Sequence, residues 1–123
     1  MAWIDGEVSH VNNGILGEIF NAVLTSMAWY NSDVRSLIEE SIKLIPADSE
    51  YYQVVRFALD QCKKTDNWKD AWKACEEKYK RYNWIHAYPN AAAEVVALYF
   101  AEDDFDKCMN IISMCGQDVD CNA

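Results

Sequence analysis

Apolar side chains recur at the spacing of one helix face along most of this chain. Between Gly14 and about Tyr30 they follow the helical period, which predicts an amphipathic helix. The residues Asn31–Asp33 then offer N-cap oxygens to a second helix, and Pro46 closes that helix. The apolar positions of these two helices are Ile15, Ile19, Phe20, Val23, Leu24, Met27, Val34, Leu37, Ile38, Ile42 and Ile45.

The same pattern predicts four further helices. They begin at Asp48-Ser49, Asp66-Asn67, Asn90 and Phe105, and they end near Lys64, before the break at Asn83, near Glu102 and at Cys115. The fifth helix is apolar on nearly every side, which favours burial against several neighbours and makes it the central helix. A break at Asn83–Pro89 is expected before it, because proline cannot continue a helix but fits in a first turn. Gly116 supplies the stop after the sixth helix.

These helices, with short connections and no alternating strand pattern, indicate an all-α fold. We expect an orthogonal bundle of about six helices in a single domain that covers residues 1–123, the size range of one domain. The chain stops at Cys121–Ala123, where another helix would begin after the Gly116 loop. The sequence therefore predicts a fragment of a larger all-α domain.

The charge balance narrows the classes of partner. The chain has 11 Lys and Arg against 20 Asp and Glu, a net charge of -9, and such a surface repels phosphate backbones and anionic lipid. We therefore expect no nucleic acid and no membrane partner. The five cysteines are odd in number and form no C-x-x-C pair, which favours reduced thiols in a cytoplasmic protein.

The tail after Gly116 carries the most specific chemistry. In an extended segment the side chains of residues i and i+2 point to one side, so Asp118 and Asp120 would present two carboxylates to one point. Hard cations such as Mg²⁺ prefer such oxygen ligands. A D-x-D pair is equally typical of solvated acids or of acids that cap a helix, and this alternative stays open.

The tail also resembles the C-terminal metal-binding signature of the ADP-ribosylglycohydrolase family, G-x-D-T-D-(S/T/C)-N-A. The segment Ser9–Ile15 resembles the Ser/Thr-His segment that starts a central helix in that family. Three further stretches are similar to bacterial members: Ile45–Ser49, the helix with Trp68 and Trp72, and Trp84–His86 followed by Asn90–Ala92. The resemblance covers nearly the whole chain in order.

The resemblance implies an all-helical hydrolase with two Mg²⁺ ions in the complete enzyme. Its reaction would cleave the glycosidic bond at C1 of the distal ribose, with ADP-ribose or an ADP-ribosylated protein as partner. Asp118 and Asp120 match the family's C-terminal metal carboxylates. Cys121 stands where Ser or Thr is common and would be a third ligand, although a thiol is a soft, poor ligand for Mg²⁺. His10 would contact the ribose or a phosphate of the substrate, or serve only as a residue at a helix start.

Part of the family's pattern is missing. Its other metal ligands, a Thr-Asp-Asp group, and its G-D-x-x-G segment have no match in this sequence. Two carboxylates alone would bind Mg²⁺ weakly, so we expect that this chain alone is not a competent hydrolase. The alternative is a small acidic helical module for protein interaction, with exposed apolar surface that promotes homo-oligomers. A third hypothesis is a family member that binds ADP-ribose without cleaving it.

Overall fold

A computed structural model describes residues 1–123, and all of its regular elements are helical. The prediction of an all-α fold is therefore confirmed. The elements are α1 (Ala2–Gly6), α2 (Asn13–Met27), α3 (Val34–Ser41) with a 3₁₀ turn at Ile42–Leu44, α4 (Glu50–Cys62), α5 (Trp68–Tyr79), α6 (Ala87–Ala101), α7 (Phe105–Cys115) and α8 (Val119–Asn122). The helices α2 to α7 are the predicted six, and two short helices lie before and after them. None of the helices combines the length and apolar character that crossing a bilayer requires.

The chain divides into two compact units, residues 1–53 and 54–123, and α4 begins in the first unit and continues in the second. In the second unit the apolar stripes that the sequence predicts are buried for the most part. In the first unit this holds for α3 but not for α2, in which four of the six predicted positions are only half-buried: Ile19, Val23, Leu24 and Met27. The expectation of one domain over residues 1–123 stays a prediction.

In the first unit, Tyr51 packs against one face of α2. Asn13, Gly17 and Phe20 share this face, since helix residues three and four apart are neighbours. The Tyr51 backbone N–H donates to Asn13 Oδ1 at 3.0 Å, and the rings of Phe20 and Tyr51 lie 6.1 Å apart between centroids. A Cβ at Gly17 would lie 2.9 Å from Tyr51 Cε2, so only glycine lets the ring approach α2 so closely.

The second predicted helix is shorter than expected. Its cap is confirmed, because Asp33 accepts a hydrogen bond from the Ser36 N–H at 3.2 Å. Regular α-helix ends at Ser41, however, and a 3₁₀ turn follows. Ile45 is extended, with φ -111° and ψ 148°, because the residue before a proline is pushed out of the helical region. Its side chain is buried all the same.

In the second unit, α6 packs against both α5 and α7, and the prediction of a central helix is confirmed. Its buried positions include Ala91, Ala92, Ala93, Val95, Val96, Ala97, Phe100 and Ala101. The helix begins at Ala87 rather than Asn90, so the predicted break over 83–89 is too long. The reason is an unexpected cap: His86 Nδ1 accepts from the Tyr88 N–H at 3.2 Å, and Pro89 fits in the first turn that follows.

The end of the chain turns sharply after α7. This helix has its predicted bounds, with Asp104 accepting from the Lys107 N–H at 2.9 Å at its start. At its end Gly116 adopts φ +71°, a left-handed conformation that favours glycine. The chain then enters α8, which carries the acidic tail.

Replacing Asn13 by alanine should destabilise the protein by about 1 to 2 kcal/mol, because the Tyr51 N–H loses this acceptor. Urea unfolding measures the change. Asn21→Ala is the matched control, since Asn21 is exposed on the same helix. Its effect should stay within about 0.5 kcal/mol. Equal effects of the two substitutions would contradict the assigned contact.

Candidate metal centre

Three predicted site residues lie together at the start of α8. One ligand atom from each of Asp118, Asp120 and Cys121 lies within 4.8 Å of the others. The prediction of an extended segment here is wrong. The chain becomes helical directly after Asp118, which is the N-cap residue of α8. The side chain of the N-cap residue Asp118 and that of Asp120 in the first turn come together at the start of this helix.

The alternative hypothesis, that Asp118 serves to cap a helix, is not supported by its side-chain contacts. Asp118 occupies the N-cap position, yet its side chain makes no capping hydrogen bond to α8. Asp118 is half-buried and Asp120 is exposed. Their oxygens can therefore be reached from solvent and are not consumed by the helix N-terminus.

The thiol of Cys121 lies in the electrostatic field of Asp118 and Asp120. The negative charge of Asp118 is the main factor that raises the pKa of Cys121 above its usual value, and desolvation and the charge of Asp120 add to it. Cys121 also shares a side-chain hydrogen bond with Asp118, which favours the protonated thiol as the donor. A thiol is a soft, poor ligand for Mg²⁺, whereas the two carboxylates are hard oxygen donors of the kind that Mg²⁺ prefers.

A fourth residue, Asn90, ties this tail to the rest of the second unit. Its Oδ1 accepts hydrogen bonds from the Asp118 backbone N–H at 3.0 Å and from the Asn122 side-chain amide. Its Nδ2 donates to the carbonyl oxygens of Trp84 and His86, both at 2.8 Å. These four bonds use the full capacity of an amide side chain.

The sequence indicates only that Asn90 lies in a stretch similar to other proteins, and these contacts were not predicted from it. The position of Asn90 in the sequence was the one available sign of a structural role. Asn90 is a polar residue at the start of an otherwise apolar helix, where a short polar side chain typically bonds to nearby backbone. Its partners in α8 lie about thirty residues further along, and no local pattern points to them.

Aromatic rings surround the turn that Asn90 holds. The imidazole of His86 lies between Tyr82 and Tyr88, with ring centroids 4.3 and 4.6 Å away. Because His86 also caps α6 through Nδ1, its contacts are those of a structural residue. Trp84, two residues before His86, is exposed.

His10, the predicted substrate contact, lies in the first unit, whereas the acidic group lies in the second. It was expected at a helix start, but α2 begins at Asn13 and His10 lies in the preceding loop. The imidazole is exposed, and its Nδ1 lies 2.7 Å from Ser9 Oγ. A Cβ at Gly14 would lie 2.9 Å from His10 Cβ, so the missing side chain at Gly14 makes room for this histidine.

Comparison with known proteins gives one match. The sequence model of the ADP-ribosylglycohydrolase family matches residues 1–123, the whole chain. No curated protein and no solved structure shows significant similarity to the chain. The match extends over both units, the first with His10 and the second with the acidic tail.

Asp118→Asn should accelerate the alkylation of Cys121 by iodoacetamide near pH 8. The substitution removes the main negative charge that raises the pKa of this thiol, and each unit of decrease gives about tenfold more thiolate. Peptide mapping by mass spectrometry follows the reaction in metal-free protein. Burial raises the pKa of Cys75 and Cys115 to about 12, so these thiols should stay unreactive in the folded protein.

The matched control for this measurement is Asp103→Asn, which changes the net charge equally at an exposed position in the turn after α6. It should leave the Cys121 rate unchanged. If Asp118→Asn also leaves the rate unchanged, Cys121 does not lie against the Asp118 carboxylate in solution.

Proposed function

This chain belongs to the ADP-ribosylglycohydrolase family, and on that premise we propose that Asp118 and Asp120 bind Mg²⁺ in a protein that acts on ADP-ribosylated substrates. The observation that carries the proposal is the convergence of the two carboxylates within 4.8 Å. Family membership supports the reaction class, hydrolysis of the glycosidic bond to the distal ribose.

The side chains present fit a hard divalent cation. Asp118 and Asp120 supply two charged oxygen ligands, and the Cys121 thiol is a soft donor that Mg²⁺ does not prefer. Cys121 would then border the cation and bond to Asp118 rather than act as a ligand. This is a narrower role than the ligand set Asp118, Asp120 and Cys121 that the resemblance implies.

The acidic surface makes a bound cation useful to a diphosphate-bearing substrate. With a net charge of -9 the chain repels phosphate groups, and the two carboxylates add to the local negative charge. Bound Mg²⁺ would supply local positive charge and polarise a substrate oxygen. The role of Asp118 and Asp120 is to hold that charge at α8. His10 remains our candidate for a contact to the ribose or phosphate, through its exposed imidazole.

The ligand group in this chain is incomplete for a full Mg²⁺ site. An octahedral ion takes about six oxygen ligands, and only two carboxylates converge here, so water or other groups must supply the rest. We therefore propose weak Mg²⁺ binding and no turnover by this chain alone.

The five free thiols support a reducing compartment such as the cytoplasm.

A second candidate function, protein interaction without catalysis, is favoured by exposed apolar side chains in the first unit. They include Trp3, Ile4, Val8, Val11, Trp29 and Tyr30. Light scattering tests self-association through this surface. A concentration-dependent dimer, together with thermal stability that does not respond to Mg²⁺ or ADP-ribose, would favour this candidate over the first.

Asp118→Asn and Asp120→Asn should each weaken Mg²⁺ binding by about tenfold or more, because each removes one charged oxygen ligand. Titration of the protein with Mg²⁺, followed by NMR shifts of the tail amides, measures the affinity. Asp103→Asn is the matched control for charge and should bind as the wild type does. If Asp118→Asn, Asp120→Asn and Asp103→Asn all bind Mg²⁺ with the same affinity, the ion is attracted by the general negative charge and is not bound by Asp118 and Asp120.

Incubation of this chain with an ADP-ribosylated protein and Mg²⁺ should release no ADP-ribose, because the two carboxylates provide only part of the ligand sphere. Chromatography of the released nucleotide measures the product. Turnover that Asp118→Asn abolishes would support the metal role of Asp118 and contradict the proposed inactivity of the chain.

A further inference from the structure

We propose that Asn90 is a positioning residue that holds α8, and with it the carboxylate of Asp118, in the arrangement that binds the cation. The proposal rests on the proposed function, in which Asp118 is a Mg²⁺ ligand. Asn90 does not touch the cation or the substrate in this account. It acts through the backbone of Asp118 and the side chain of Asn122.

Apart from its packing against α7, the tail has few contacts that fix its position. The helix α8 has four residues, and none of them is buried, so hydrophobic packing contributes little to its placement. Short helices are also marginal by themselves. The hydrogen bonds to Asn90 are therefore the specific contacts that define where α8 begins.

Asn90 is a suitable anchor because its own position is rigid. It lies in the first turn of α6, which packs against α5 and α7. Both hydrogens of its Nδ2 are held by the carbonyl oxygens of Trp84 and His86, which fixes the amide plane. The Oδ1 atom is thereby aimed at the tail.

One oxygen of Asn90 holds both ends of α8. The Asp118 N–H at the N-cap and the Asn122 amide near the last residue both donate to Oδ1. Asp120 and Cys121 lie between these two attachment points. Fixing both ends of a single turn restricts the directions of the Asp118 and Asp120 side chains, which preorganises a pair of ligands.

Asn90→Ala is the main test, and two measurements on the full chain report on it. In metal-free protein, hydrogen exchange of the Asp118 amide by NMR should lose its protection, because the acceptor is gone. In a Mg²⁺ titration followed by the Asp118 and Asp120 resonances, the affinity should fall about tenfold, a typical loss for an outer partner of a metal ligand. A general loss of stability would not single out this amide.

Asn83→Ala is the matched control. Asn83 accepts from the Ile85 N–H at 3.2 Å in the same turn that Asn90 holds, and it has no bond to α8. Asn83→Ala should retain wild-type protection of the Asp118 amide and wild-type Mg²⁺ affinity.

Asn122→Ala serves as a second variant if Asn90→Ala fails to fold. It removes one donor from Asn90 Oδ1 and leaves the bonds of Asn90 to Trp84 and His86. It should lower Mg²⁺ affinity while the unfolding midpoint stays near that of the wild type.

The outcomes separate this proposal from the function on which it rests. If the wild type binds Mg²⁺ at Asp118 and Asp120, and Asn90→Ala and Asn122→Ala bind it equally well, the positioning role is overturned and the proposed function stands. If the wild-type resonances of Asp118 and Asp120 do not respond to Mg²⁺, the proposed function fails and the positioning role fails with it. Selective loss of affinity in the Asn90 and Asn122 variants, with none in Asn83→Ala, supports both.

Discussion

The amide of Asn90 uses every hydrogen-bonding group it has, and the geometry of the acidic tail depends on that saturation. Two of its bonds reach back to the turn before α6, and two reach forward to α8. A buried or half-buried amide with all four groups satisfied has one preferred orientation. The carboxylates of Asp118 and Asp120 therefore stand on a helix turn whose start is defined by a rigid neighbour.

The chemistry of the tail follows from the charges placed on that turn. Asp118, Asp120 and Cys121 each place one possible ligand atom within 4.8 Å of the others, and the charges of the two aspartates raise the pKa of the Cys121 thiol. In the proposed function a hard divalent cation would offset the charge of the two carboxylates, and the soft thiol would stay bonded to Asp118.

The sequence predicts the helices well where local signals decide them. The helix α7 has its predicted bounds because Asp104 caps it and Gly116 adopts the left-handed conformation that ends it. The start of α6 was misplaced because His86 caps it through a ring nitrogen, and histidine is not among the usual cap residues. The pair Asp118 and Asp120 was identified from the sequence, but by an extended geometry that the helix α8 replaces. The contacts of Asn90 with α8 could not be found from the sequence, because these partners lie about thirty residues away and such contacts depend on tertiary packing.

The most direct test of the central claim is a crystal structure of the chain soaked with Mn²⁺, which replaces Mg²⁺ and gives an anomalous signal. We expect one anomalous peak at about 2 Å from an oxygen of Asp118 and from an oxygen of Asp120. Asn90 Oδ1 should still accept from the Asp118 N–H in that structure. If the two carboxylates instead turn apart and no peak lies between them, Asp118 and Asp120 are not a pair of metal ligands.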